Sequence, residues 1–169
     1  MKISNPFLSH LNRRHFIKTS ALGTLALTGL TQKRIGSQTP VKLGLIGCGW
    51  YGMVCMKAAF NAGGVECIAL CDVDQAHLEK SEHEVKNRQG KIPKTFHDYR
   101  DLLDVRGLEA VIIATPPHWH ALQFFDALNK DIDIYCEKPL AYDIREGQKM
   151  LKAAEKSNCI IQIGFQRRQ

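Results

Sequence analysis

The stretch "VKLGLIGCGWYG" constrains this chain more than any other. A compact apolar run of strand length, 41–47, leads directly into Gly47, Gly49 and Gly52 in the order G-x-G-x-x-G, and helix-like sequence follows. Each glycine has a physical role in a strand–turn–helix unit. The first permits the tight turn, the second lets a pyrophosphate approach the backbone, and the third lets the helix pack on the strand. The phosphates then sit at a helix N-terminus, where backbone N–H groups and the helix dipole favour an anion. A second apolar run ends in "ALCD", which places Asp72 about 20 residues beyond the last glycine, where an acid binds the adenosine ribose diol. An acid there favours NAD over NADP, whose 2′-phosphate it repels. A methyltransferase also places an acid after its second strand, and an α/β protein can carry a glycine-rich turn with no ligand at all.

That second run, 66–71, and three further ones, at 109–115, 132–136 and 159–164, have the length and continuity of strands buried on both faces. Stretches of helical period separate them. Ala121, Leu122, Phe124, Phe125 and Leu128 make one apolar face, and Ile144, Leu151 and Ala154 are expected to make another in the last helix. The segment "KIPKTFHD" is expected to hold a short strand around 94–96 and a brief helix from Asp98. Strand and helix alternating in this way imply right-handed crossovers and an α/β fold, a Rossmann-type doubly wound parallel sheet.

In such a sheet the residues at the carboxyl ends of the strands face the ligand crevice. The fourth strand ends in "ATPPHWH", directing attention to Thr115, Pro116, Pro117, His118, Trp119 and His120. A metal pair of His118 and His120 lacks a third ligand in the sequence, so no metal is expected. Trp119 either walls the nicotinamide side or packs. The fifth strand ends in "CEKP". Lys138 is expected at the same crevice, where an ammonium can hydrogen-bond a substrate hydroxyl and help move its proton, with Glu137 orienting it. The alternative is an exposed turn lysine before a proline stop.

The charge is informative through its location. The 23 Lys and Arg exceed the 17 Asp and Glu by the formal +6. The six bases Lys2, Arg13, Arg14, Lys18, Lys33 and Arg34 lie in the first 40 residues, which hold no acid, so the remainder is neutral and no nucleic-acid partner is implied. The leader "NRRHFIKTSALGTLALTGL" fits an export signal of the twin-arginine type, followed by a linker at 31–40, although Asn12 and Ile17 depart from the usual residues and no clean A-x-A cleavage site follows. Its apolar run is too short for a stable membrane span. Domains are therefore expected at 1–40 (signal and linker) and 41–169 (dinucleotide-binding). A periplasmic or otherwise exported protein is expected, with a disordered basic tail on a cytosolic protein as the alternative. Cys48, Cys55, Cys67, Cys71, Cys136 and Cys159 form no C-x-x-C, and most lie in apolar runs, so they read as core thiols.

Together these motifs resemble the N-terminal domain of the glucose-fructose oxidoreductase / inositol dehydrogenase / rhizopine catabolism (Gfo/Idh/MocA) family, over the chain from Val41 onward. The resemblance implies cofactor-binding roles for Gly47, Gly49, Gly52, Asp72, Thr115, Pro116, His120, Glu137 and Lys138. Glu137, Lys138 and Pro139 match the family's E-K-P signature, in which the lysine lies beside nicotinamide and substrate. Pro117 stands where the family usually has Asn or Asp. The resemblance further implies NAD as cofactor, a carbohydrate substrate, a homo-oligomer at full length, and a C-terminal α/β domain absent from this chain, which would make the chain a fragment or a truncated product; export, away from free cytoplasmic NAD, implies that the cofactor is tightly held. Three functions are compatible with these residues: net oxidation or reduction of a sugar, cyclitol or glycoside; NAD-dependent glycoside cleavage through transient oxidation; and a non-catalytic NAD-binding module.

Overall fold

The computed structural model describes residues 39–165; the leader and its twin-arginine motif lie outside the described residues. Six strands form one parallel sheet in the order β3-β2-β1-β4-β5-β6: β1 (Val41–Ile46), β2 (Val65–Cys71), β3 (Lys94–Phe96), β4 (Ala110–Ile113), β5 (Asp133–Glu137) and β6 (Ile161–Gly164). The helices are α1 (Trp50–Ala62), α2 (Gln75–Gln89), α3 (Tyr99–Leu103), α4 (Pro117–Leu128) and α5 (Ile144–Ala154). This is the expected doubly wound sheet, including the short third strand and the brief helix after Asp98.

Alternation along each strand divides the core. Leu45 and Ile112 join the apolar cluster with Met56 and Leu78, whereas Ile46, Val111 and Ile113 join the cluster with Phe124 and Met150. Strand side chains alternate between faces, so neighbouring residues serve the two layers. In β2 a register irregularity changes the phase: Leu43 pairs with Cys67, but Gly44 pairs with Ala69. The extra residue sends Cys67 to the first cluster and Ala69 and Cys71 to the second.

Asp side chains start three of the helices. Asp74 accepts the N–H of Ala76 at 2.8 Å, Asp98 that of Arg100 at 2.9 Å and Asp143 that of Glu146 at 2.8 Å. Each supplies an acceptor to an otherwise unpaired helix N–H. Helix α2 ends on Gly90 in the left-handed conformation, φ 75°.

The last helix corrects the expected apolar face. Ile144 and Leu151 are exposed, and Met150 is the residue buried there. Leu122 of α4 is likewise exposed, because it lies a quarter turn away from the face formed by Ala121, Phe124, Phe125 and Leu128.

Candidate functional site

The carboxyl ends of the strands align. Ile46 pairs with Cys71 on one side and with Ile113 on the other, and Ile113 pairs with Cys136. The segments that follow these strands therefore leave the sheet along one edge, and the strand order reverses between β1 and β4. The switch point of an open α/β sheet is where ligands bind. A cleft of about 540 Å³ opens there, lined by Gly47, Gly49, Asp72, Thr115, Pro116 and Trp119 among others. That volume suits a small-molecule or cofactor site.

The three glycines serve three different needs. At Gly47, with φ 93°, a Cβ would lie 2.8 Å from the carbonyl of Ala114, so the turn presses against the end of β4. At Gly52 a Cβ would lie 1.8 Å from the carbonyl oxygen of Gly47, so helix and turn are in direct backbone contact. At Gly49 the nearest atom, His77 Cε1, is 3.9 Å away. The protein's own packing thus requires glycine at 47 and 52, while the space above Gly49 belongs to the cleft. Gly49 is also the N-cap of α1, with no capping side chain and no acid in the first turn. The positive end of this helix faces the cleft and, unlike the Asp-capped starts of α2 and α3 on the same cleft, carries no neutralising carboxylate, so it suits a phosphate.

Asp72 stands at the end of β2 with its side chain 12% exposed. Its Oδ2 accepts the N–H of Cys48 at 2.7 Å and its Oδ1 the N–H of Asp74 at 2.9 Å. A carboxylate has about four acceptor positions, so two remain for a vicinal diol. His77 Nδ1 lies 3.7 Å from Oδ2.

Several lining residues had no assigned role in the sequence reading. His77, His97, Tyr99, Arg100 and Gln123 all face the cleft. Trp119 shares the cavity with Asp72 and packs edge-on to Tyr99 at 6.5 Å, on the side of the cleft walled by the residues after β3. Tyr99 donates to Asp126 at 2.7 Å, and burial, then that bond, raises its hydroxyl to about 12. Thr115 donates to Gln123 at 2.6 Å. The residues after β3 could have been found from the rule that strand ends line the crevice, but a three-residue strand is a faint signal.

At the other end, Glu137 and Lys138 follow β5. The Lys138 side chain is exposed, and its Nζ lies 6.0 Å from the ring centroid of Tyr51, which itself sits between Gly49 and Gly52. The ammonium is thus beside the glycine turn but outside the walls of the 540 Å³ cleft. Glu137 is 4% exposed and takes no place in the cleft wall. Its Oε1 accepts from the Tyr135 hydroxyl at 3.1 Å and the Cys55 thiol at 3.4 Å, and its Oε2 accepts the N–H of Lys138 at 3.0 Å. Burial, reinforced by this carboxylate, raises the Cys55 thiol to about 12 and the Tyr135 hydroxyl upward as well. The Lys138–Pro139 peptide is cis.

His120 departs from the sequence expectation. It is 1% exposed, with Nε2 2.7 Å from the Thr115 carbonyl oxygen and Nδ1 2.9 Å from that of Pro139. Both ring nitrogens are bound to protein, so the ring is not free to touch a cofactor or to join His118 on a metal. Glu137 likewise lies outside the cleft wall, on Tyr135, Cys55 and the backbone N–H of Lys138, a placement that agrees with its expected orienting of Lys138 and not with a place against the cofactor. Gly47, Gly49, Asp72, Thr115 and Pro116 are brought together around the cleft; Lys138, expected to point into it, is instead exposed beside Tyr51 and does not line it.

Residues 41–165 match the family described as "Oxidoreductase family, NAD-binding Rossmann fold", named for Gfo, Idh and MocA. The chain is 34% identical over 134 residues to an inositol 2-dehydrogenase of Salmonella typhimurium, covering 76% of this chain and 38% of that protein. It is 30% identical over 181 residues to a glycosyl hydrolase family 109 protein of Shewanella sp. (strain ANA-3), covering 91% of this chain and 39% of that protein. Among solved structures, myo-inositol dehydrogenase from Lactobacillus casei in complex with NAD(H) and myo-inositol superposes with a TM-score of 0.69 at 27% identity, over 76% of this chain and 38% of that one. The chain therefore spans about two fifths of the length of the curated relatives it matches.

Proposed function

The chain belongs to the Gfo/Idh/MocA family of NAD-binding oxidoreductases, and from that premise we propose that it is the cofactor-holding part of an enzyme acting on a carbinol carbon of a sugar, cyclitol or glycoside. One observation carries the reading: an uncapped helix start and Asp72 share the cleft at the switch point, and Lys138 stands beside the same glycine turn.

The residues present fit NAD. Gly49 leaves room for the pyrophosphate, the start of α1 offers its N–H groups, and Asp72 has acceptor positions left for the ribose hydroxyls. Tyr99 and Trp119 line the apolar wall at the adenosine end. Three acids, Asp72, Asp74 and Asp98, line the cleft with Arg100, whose guanidinium is engaged by Asp98 at 3.2 Å, and this balance disfavours a 2′-phosphate. The nicotinamide supplies an acceptor and donor of hydride. Lys138 holds and moves the proton of the substrate hydroxyl, with its backbone N–H anchored by Glu137.

Release of NAD from the purified, denatured chain, identified by mass and absorbance, tests the cofactor assignment. Binding neither endogenous nor added NAD is the result that counts against it.

A second reading, redox-assisted glycoside cleavage, has its own support. The alignment to the family 109 glycosidase covers more of this chain than the residues from Thr39 onward can supply, so it runs into the leader, whereas the alignment to the inositol dehydrogenase does not require it. Export by a twin-arginine route is proposed from the sequence of the leader alone. Product analysis with the complete protein separates the two readings. Net oxidation accumulates ketone and reduced nicotinamide, whereas cleavage releases the aglycone with no net change in the cofactor.

A further inference from the structure

His120 joins two segments that the proposed chemistry needs in register. Its Nε2 faces the carbonyl oxygen of Thr115, which walls the cleft and follows β4, and its Nδ1 faces that of Pro139, the residue after Lys138. Lys138 is held on its other side by Glu137, whose Oε2 accepts its backbone N–H at 3.0 Å. The backbone that carries the ammonium is therefore bracketed, with a carboxylate before it and an imidazole after it.

The geometry points to His120 as a positioning residue for Lys138, a two-sided tie that holds the loop after β5 against the wall of the cofactor cleft; this rests on the role given to Lys138 above. Both partners are carbonyl oxygens, which accept and cannot donate. A ring N–H therefore holds one of the two loops, and the ring, 1% exposed, is packed against the other. An unmade bond at a buried polar group costs about 1–3 kcal/mol, so an apolar ring of similar size in this place leaves a loop carbonyl without its donor.

Variants of the cofactor-free chain test this. In the reductively carbon-13-methylated chain, the Lys138 signal, assigned by its loss in Lys138→Arg, is expected to move to the position of an unconstrained lysine in His120→Phe. It is expected to return in His120→Gln, whose amide restores a donor. An unmoved Lys138 signal in a folded His120→Phe overturns the proposal, and the amide signals of β1 and β4 report whether the fold is kept. If His120→Phe does not fold, His120→Asn, whose shorter amide reaches one loop and not both, is read in the same way, and an unmoved signal there overturns the proposal. Calorimetric titration with NAD is scored separately: a chain with the Lys138 shift and no NAD binding keeps the tie and loses the functional reading, and the reverse pattern does the opposite.

Discussion

The Asp72 carboxylate accepts the backbone N–H of Cys48 at 2.7 Å across 24 positions of sequence. The end of β2 thereby holds the middle of the glycine turn, so a residue expected to read the ribose also shapes the loop that receives the phosphates. Asp72→Asn keeps the size but leaves one acceptor oxygen where two N–H groups, of Cys48 and Asp74, now compete. The expected outcome is an NAD affinity lower by about 10- to 100-fold, or roughly 1.4–2.7 kcal/mol, with a smaller loss for NADP. Calorimetry with both dinucleotides checks it, and equal losses for the two would remove the ribose assignment.

Gly49 and Gly52 predict opposite phenotypes. A methyl at 49 meets nothing closer than 3.9 Å, so Gly49→Ala is expected to fold with a stability loss of about 0.5–1 kcal/mol from the poorer N-cap. NAD binding should nevertheless fall at least tenfold, on the order of 1.4 kcal/mol, because the methyl fills the space above the turn. A methyl at 52 would lie 1.8 Å from the Gly47 carbonyl oxygen, and Gly52→Ala is expected to lose about 3 kcal/mol or fail to fold. Thermal melts beside binding curves distinguish the two.

Lys138 lies outside the walls of the cleft. Lys138→Met is therefore expected to change NAD affinity by less than about threefold, under roughly 0.7 kcal/mol, while lowering kcat of the complete enzyme by about 100-fold or more, the scale of lost general acid–base catalysis. Full turnover in the variant would leave the proton transfer to another group.

Gly164 at the end of β6 faces the buried Glu137. A Cβ there would lie 2.4 Å from Glu137 Oε1 and 2.7 Å from the Tyr135 hydroxyl. Gly164→Ala must displace a rigid ring or a buried carboxylate and is expected to cost about 1–3 kcal/mol. Denaturant unfolding measures the loss, and the altered Glu137 should also reach Lys138 through its backbone N–H.

The thiols carry a pH prediction. Burial, as the first cause, raises Cys55, Cys67, Cys71 and Cys136 to about 12 and Cys48 upward as well, while Cys159 is only partly buried. The thiolate is the reactive form, and a raised pKa keeps these groups protonated at pH 8. A disulfide reagent at that pH should find Cys159 quickly and the five buried thiols only after unfolding, with their reactivity rising as pH approaches 12. Rapid modification of several thiols in the folded chain would contradict this.

Much of the fold was legible along the chain because its signals are local. Apolar runs of strand length, helical periods between them and three glycines at short spacing need no knowledge of distant contacts, and they predict the parallel sheet and the mouth at Gly49. The short β3 was foreseen, but the residues after it, Tyr99 and Arg100, were not recognised as cleft walls. Trp119 was visible as a residue of the crevice, yet its packing depends on Tyr99, 20 positions earlier.

His120 and Glu137 show where reading by sequence stops. Each was singled out by its motif and expected to meet the cofactor, Glu137 also to orient Lys138. Sequence alone determined the alternation of elements, the glycine turn, the acid after the second strand and the lysine after the fifth, because these follow from spacing within one strand–loop–helix unit. Tertiary structure decided which polar groups face the cleft and which are spent holding backbone: Asp72 doing both, Glu137 gripping Lys138, and His120 spanning the loops after β4 and β5. A buried polar atom must find its partner among whatever atoms the folded chain brings within about 3 Å, and that choice exists only once separate strands are side by side.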